Sequence, residues 1–105
     1  MKLAQVRLSE AASADIVEQA DWYEEKSDWK LAQRWSDAVT STALRIIRNP
    51  RSGKPCRFGP TELGNIRRMS IPGFPKHLVF YRVVDGEVLI LRVLHGARDL
   101  PGMFE

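Results

Sequence analysis

The sequence predicts an α+β domain, with its helices gathered in the first half and most of its strands in the second. Two consecutive apolar stripes at helical spacing fill residues 9–49. Two runs rich in Val, Leu, Ile, Phe and Tyr, split by Asp85-Gly86, fill residues 76–95. A short alternating segment opens the chain. Helices segregated from strands make an α+β domain with an antiparallel sheet.

Each element follows from its residues. Lys2 to Leu8 alternates, with Ala4, Val6 and Leu8 on one face, and reads as a short strand. Ser9 offers an N-cap oxygen to a helix beginning at Glu10, whose acid suits the first turn. Ala12, Ile16, Ala20 and Tyr23 then recur every three or four residues as one apolar stripe. Ser27 and Asp28 interrupt that pattern and cap a second helix. Its stripe is Leu31, Trp35, Ala38, Val39, Thr42, Ile46 and Ile47. Arg45 and Arg48 suit its last turn, and Asn49-Pro50 stops it. So short a connection makes the two helices an antiparallel hairpin. Trp22, Trp29 and Trp35 all lie in this half and are expected in the core or the hairpin packing.

Pro50 to Gly64 holds three prolines, three glycines and Arg51, Lys54 and Arg57, and reads as a basic loop. Asn65 to Ile71 reads as a strand, and Ile71 to Pro75 as a turn built on Pro72, Gly73 and Pro75. Lys76–Val84 and Glu87–His95 form a hairpin, because both turn positions of Asp85-Gly86 tolerate positive φ. If those two residues are the whole turn and no longer loop sets another register, Val84 faces Glu87, pairing continues outward, and Lys76, Leu78, Phe80 and Arg82 share a face with Leu89, Leu91, Val93 and His95. His77, Val79, Tyr81 and Val83 share the other with Val88, Ile90, Arg92 and Leu94.

Composition narrows the class. The chain has 105 residues, 44% hydrophobic and 28% charged, which fits one globular domain over 1–105. Cys56 is the single cysteine, so no internal disulfide forms and a reducing, cytoplasmic setting is expected. No apolar run approaches the roughly 20 residues of a membrane span, and Gln5 and Arg7 break up the opening stretch, so it does not read as a secretory signal. Charge is unevenly spread. Residues 1–44 carry five basic and eight acidic side chains, residues 45–84 nine and one, and residues 85–105 two and four. A middle segment of net +8 points to an anionic partner.

There is no spacing of metal ligands, no glycine-rich phosphate loop and no nucleophile elbow. No cofactor is expected. Cys56 reads as an inert thiol. What remains is a set of imidazoles and guanidiniums on the last strands: His77, Arg82, Arg92, His95 and Arg98. They suit either of two arrangements. The arginines can pair with an acid such as Asp99 or lie at a sheet edge. Alternatively, one sheet face is a cleft that grips RNA phosphates or an acidic peptide.

His77-Leu78-Val79-Phe80-Tyr81-Arg82-Val83, followed by Leu91-Arg92-Val93-Leu94-His95-Gly96-Ala97-Arg98-Asp99, resembles the ParE/RelE superfamily of type II toxin–antitoxin toxins. The opening agrees: a short strand, then Leu8-Ser9-Glu10-Ala11-Ala12, a long helical hairpin and an Asn-Pro stop. The resemblance spans nearly the whole chain. It implies a RelE/ParE-like fold: an N-terminal strand, an antiparallel helical hairpin, then a three-stranded antiparallel segment completing one sheet.

The superfamily holds two activities. RelE-like members are ribosome-dependent endonucleases that cut mRNA, and ParE-like members inhibit DNA gyrase. The resemblance puts His77 where the nucleases carry a sheet arginine, Arg98 at their late arginine, and Phe104 near their C-terminal tyrosine. Phe104 has no hydroxyl to exchange a proton. Arg67 and Arg68 are adjacent, whereas two cations on one strand face need a spacing of two. The nuclease set is thus incomplete, and the long hairpin with the His95 to Asp99 ending looks more like ParE. The expectation is a ParE-like, non-enzymatic toxin that binds gyrase through Arg67, Arg68, Arg82, Arg92, His95 and Arg98 and arrests growth. The alternative is an mRNA endonuclease with His77 or His95 as acid/base and Arg98 as charge stabiliser. A third reading is a member that binds its antitoxin and has lost toxicity. Under all three, the resemblance implies a cognate antitoxin whose neutralising segment lies partly as a helix against the hairpin and partly along the sheet. The basic middle predicts that this segment is acidic.

Overall fold

A computed structural model describes residues 5–56 and 65–96. The order is β1 (Val6–Leu8), α1 (Glu10–Lys26), α2 (Trp29–Arg48), β2 (Lys54–Pro55), β3 (Arg67–Ile71), β4 (Phe74–Val84) and β5 (Glu87–His95). The strands form one sheet in the order β1-β5-β4-β3-β2, with β1 parallel to β5 and every other pair antiparallel. The helical hairpin lies on one face of this sheet. The expected α+β architecture is therefore present, with a fifth strand: β2 lies inside the segment expected to be all loop. Residues 2–4 of the expected first strand lie outside the described residues.

The helices start where their caps dictate. Ser9 Oγ accepts from Ala12 N at 2.9 Å and itself donates to Leu91 O at 2.7 Å, so one hydroxyl caps α1 and ties it to β5. Asp28 caps α2 by accepting from Leu31 N. The predicted stripes face the sheet. Ala12, Trp35, Val39 and Ile46 are buried with Met69, Ile71, Val79, Tyr81, Val88, Ile90 and Val93. Thr42 is buried too, and its hydroxyl donates to Ala38 O, so the polar group is satisfied within its own helix. Of the tryptophans, only Trp35 belongs to the core. Its indole donates to Ile16 O at 3.1 Å and clamps the hairpin. Trp22 and Trp29 are 53% and 64% exposed. Trp22 falls off the stripe of α1, and Trp29 opens α2 at the hairpin tip, so neither joins the core.

The β4–β5 hairpin begins as expected. Asp85 and Gly86 both take positive φ, 51° and 77°, and Val84 pairs with Glu87. The expected uninterrupted register then breaks. Tyr81 pairs with Ile90, but Phe80 pairs with Arg92, so Leu91 is an extra residue in β5. A one-residue slip exchanges the faces of everything beyond it. His77 consequently faces His95, not Leu94, and Val79 faces Val93, not Arg92. Beyond the bulge, Leu94 joins Phe80 and Ile66 in a second, smaller buried cluster, away from the main core. The β3–β4 turn is also tighter than expected. Ile71 pairs with Phe74, so β4 starts two residues early, and Pro75 lies within it.

Tyr81 anchors the chain after α2. Its buried hydroxyl donates to Pro50 O at 2.7 Å and accepts from Gly53 N at 3.0 Å. A Cβ at residue 53 would stand 2.5 Å from that oxygen, so glycine is required there by close approach. Tyr81→Phe leaves both backbone groups without their partner and is expected to cost about 1–3 kcal/mol. Urea unfolding should show a lower midpoint with an unchanged slope.

Candidate functional site

Two recesses concentrate the polar side chains. The first, of about 700 Å³, opens between α1 and the ends of β4 and β5 and includes Asp15, Glu18, Trp22, Tyr23, His77 and His95 in its lining. Asp15 organises it. One carboxylate oxygen accepts from Arg92 Nε at 2.8 Å and from Val93 N at 2.9 Å, and the other accepts from Arg92 Nη2 at 2.8 Å. The side chains of Arg92 and Asp15 are only 18% and 10% exposed. This is a bidentate, largely desolvated ion pair with a third donor from the backbone. The hydrogen bond from Arg92 to Asp15 pushes the arginine's pKa upward. Asp15 stands where β1 has ended, so its carboxylate takes the place of a strand partner for β5.

His77 and His95 meet in the same recess, edge to face with ring centroids 5.5 Å apart. His77 also lies against the Trp35 ring at 4.9 Å. Burial, and then the neighbouring His95, push its pKa below the ordinary imidazole value. His77 is thus held neutral near pH 7. The recess around the pair carries the acids Asp15 and Glu18, and its one cation, Arg92, is already bound to Asp15.

The second recess, of about 710 Å³, lies between the end of α2 and strands β2 to β4. Arg48, Arg51, Asn65, Arg67 and Val83 are part of its lining. Arg67 Nη1 donates to Gly53 O at 2.8 Å and to Arg51 O at 3.3 Å, which fixes its guanidinium in place.

The six expected target-binding residues therefore do not form one face. Arg67 shares the helix side with Tyr81, its register partner. Arg68 is exposed on the opposite side, paired with Phe80, close enough to Cys56 to oppose the rise that burial gives the thiol's pKa. Arg82 alternates with Phe80 onto that same opposite side, and its Nε is buried with no hydrogen-bond partner. Arg92 is held by Asp15, and His95 lies in the first recess. Arg98 and Phe104 lie outside the described residues. The partner of Arg92 was missed in the sequence, because Asp15 is 77 residues away and reads there as an ordinary polar position of α1. Among the described residues, no group of three or more His, Cys, Asp and Glu could hold a metal ion, and no helix is long and apolar enough to cross a membrane.

A hairpin of helices over one face of a sheet, with an edge strand parallel to the last strand, is an architecture shared with a solved toxin–antitoxin structure. The chain is similar to a structure described as the chromosomal ParDE TA system from P. aeruginosa, with a TM-score of 0.73 and 17% sequence identity over 89% of this chain and 96% of that one. No curated protein matches it in sequence. The model of the ParE toxin family, toxins of the type II parDE systems, matches residues 6–100, and the chain belongs to that family.

Two outcomes follow from the geometry. Asp15→Ala leaves Arg92 largely buried without its bidentate partner and should destabilise the fold by roughly 3–5 kcal/mol. Adding Arg92→Met should recover only part of that loss in urea unfolding, because the Val93 N–H still lacks its acceptor. In an NMR titration, His77 should protonate below the ordinary imidazole value. A depressed folded pKa means that the associated stability is complete above the unfolded value, near 6.5, and is lost as the pH falls through the folded one. In His95→Gln most of the depression should persist, because burial is its larger cause.

Proposed function

We propose that this chain is the toxin of a type II toxin–antitoxin pair, that it inhibits DNA gyrase by binding it, and that a cognate antitoxin neutralises it in the cytoplasm. The family match over residues 6–100 supports the toxin assignment. Choosing binding over cleavage rests chiefly on one observation. Among the described residues, the imidazoles and the uncompensated cations lie in different places. Cutting RNA needs an acid/base group next to cations that hold the phosphate. Here His77 and His95 share a recess with Asp15 and Glu18, while Arg48, Arg51 and Arg67 line another. An RNA phosphate entering the histidine recess meets net negative charge.

The nuclease reading keeps one point in its favour. The bulge at Leu91 brings His77 and His95 together, and paired imidazoles suit acid/base work. Arg98 could add the missing cation. Purified protein should block gyrase supercoiling and leave ribosome-bound mRNA intact, and Arg98→Ala should fold normally but inhibit gyrase less. Cleaved mRNA with normal supercoiling would reverse the assignment and make His77, His95 and Arg98 catalytic.

A further inference from the structure

We propose that the arginine-walled recess at the end of α2 seats an acidic segment of the antitoxin, one that carries an apolar side chain beside its carboxylates. This rests on the preceding reading that an antitoxin neutralises the chain. Three guanidiniums, those of Arg48, Arg51 and Arg67, line the recess, and among the described residues no acidic one does. Among the described residues, none of the three has a carboxylate within ion-pair distance. Like charges gathered without a counter-ion repel one another, so a bound anion relieves a cost already present in the free toxin.

The three are not equivalent. Arg67 is half-buried and fixed by two carbonyls, so binding orders little of its side chain. Arg48 and Arg51 are exposed and free to close over a ligand. The rest of the wall sets Asn49 and Asn65 beside apolar surface from Pro50, Pro55, Ile66 and Val83, and Val83 stays 44% exposed in the free chain. That combination asks for a carboxylate and a hydrocarbon side by side, which a peptide supplies. A nucleic acid would present phosphates and flat bases, yet among the described residues no aromatic ring lines the recess to stack on a base. A volume of about 710 Å³ also holds a few side chains and no duplex.

The test uses Arg48→Glu and Arg51→Glu, both at exposed positions outside the residues assigned to gyrase. The antitoxin, purified from the reading frame beside the toxin gene, should bind each variant roughly tenfold more weakly, mainly through slower association that depends less on salt. Gyrase inhibition should stay at the wild-type level, so the variants become toxins that their antitoxin restrains poorly. A labelled peptide of Glu and Leu should bind the wild type and lose affinity for both variants, and its Gln and Leu counterpart should not bind. Unchanged antitoxin affinity in both variants overturns the proposal. So does lost gyrase inhibition with intact antitoxin affinity, which would give the recess to gyrase, and so does lost binding to single-stranded RNA or DNA alone. A wild type that never inhibits gyrase sinks the gyrase reading but leaves the recess to be judged by antitoxin affinity.

Discussion

The Asp15 carboxylate joins the helical layer to the sheet. It accepts three N–H groups, two from Arg92 and one from the backbone of Val93, at the point where β1 has ended and β5 has just gained an extra residue. An edge strand beyond its last neighbour exposes unpaired backbone donors and acceptors. Here α1 supplies the substitutes: the Ser9 hydroxyl takes Leu91 O, and Asp15 takes Val93 N. The bulge is tolerated because a helix side chain meets the groups it disturbs. Since the bulge also decides which residues lie opposite each other, the meeting of His77 and His95 depends on the same joint.

The sequence made the local elements legible, and the reason is local chemistry. Ser9 and Asp28 cap their helices because each has a hydroxyl or carboxylate three residues before an amide it can reach. Asp85-Gly86 turns the hairpin because both residues take positive φ there. The stripe through Trp35, Val39, Thr42 and Ile46 is buried because helical periodicity needs no knowledge of the partner surface. What could not be read were features set by contacts far apart in sequence. A single extra residue at Leu91 has no local signature: no glycine, proline or other turn residue stands between Val88 and His95 to mark it. The pairing of Lys54 and Pro55 with Arg68 and Arg67 is likewise invisible in a stretch rich in proline and glycine.

The same distinction explains the candidate site. Reading residues by type selected the histidines and arginines, but it placed them on faces by unbroken alternation. Once the register shifts, His95 moves beside His77. Arg92, although on a strand and cationic, is taken by an acid of α1. Adjacent Arg67 and Arg68 were expected to face opposite ways, and they do: one is fixed against loop carbonyls on the helix side, the other is exposed on the far side. A cluster defined by composition becomes several separate environments once it is folded.

That separation bears on what a toxin of this kind can do. An enzyme for RNA needs its proton-transfer groups and its phosphate-holding cations within one substrate's reach, because catalysis depends on their acting together on one transition state. A binding protein has no such requirement and can distribute its recognition chemistry over its surface. In this chain the imidazoles share a recess with acids, and burial disfavours the charged form of His77. The cationic recess opens at the other end of the hairpin helices, and the described residues of its partly apolar wall include no group suited to move a proton near pH 7 other than a thiol whose pKa burial raises. Electrostatic attraction there changes how fast and how selectively an acidic partner arrives. Among the described residues it assembles no reaction centre, and this separation of charge is what supports the proposed reading of a binding protein.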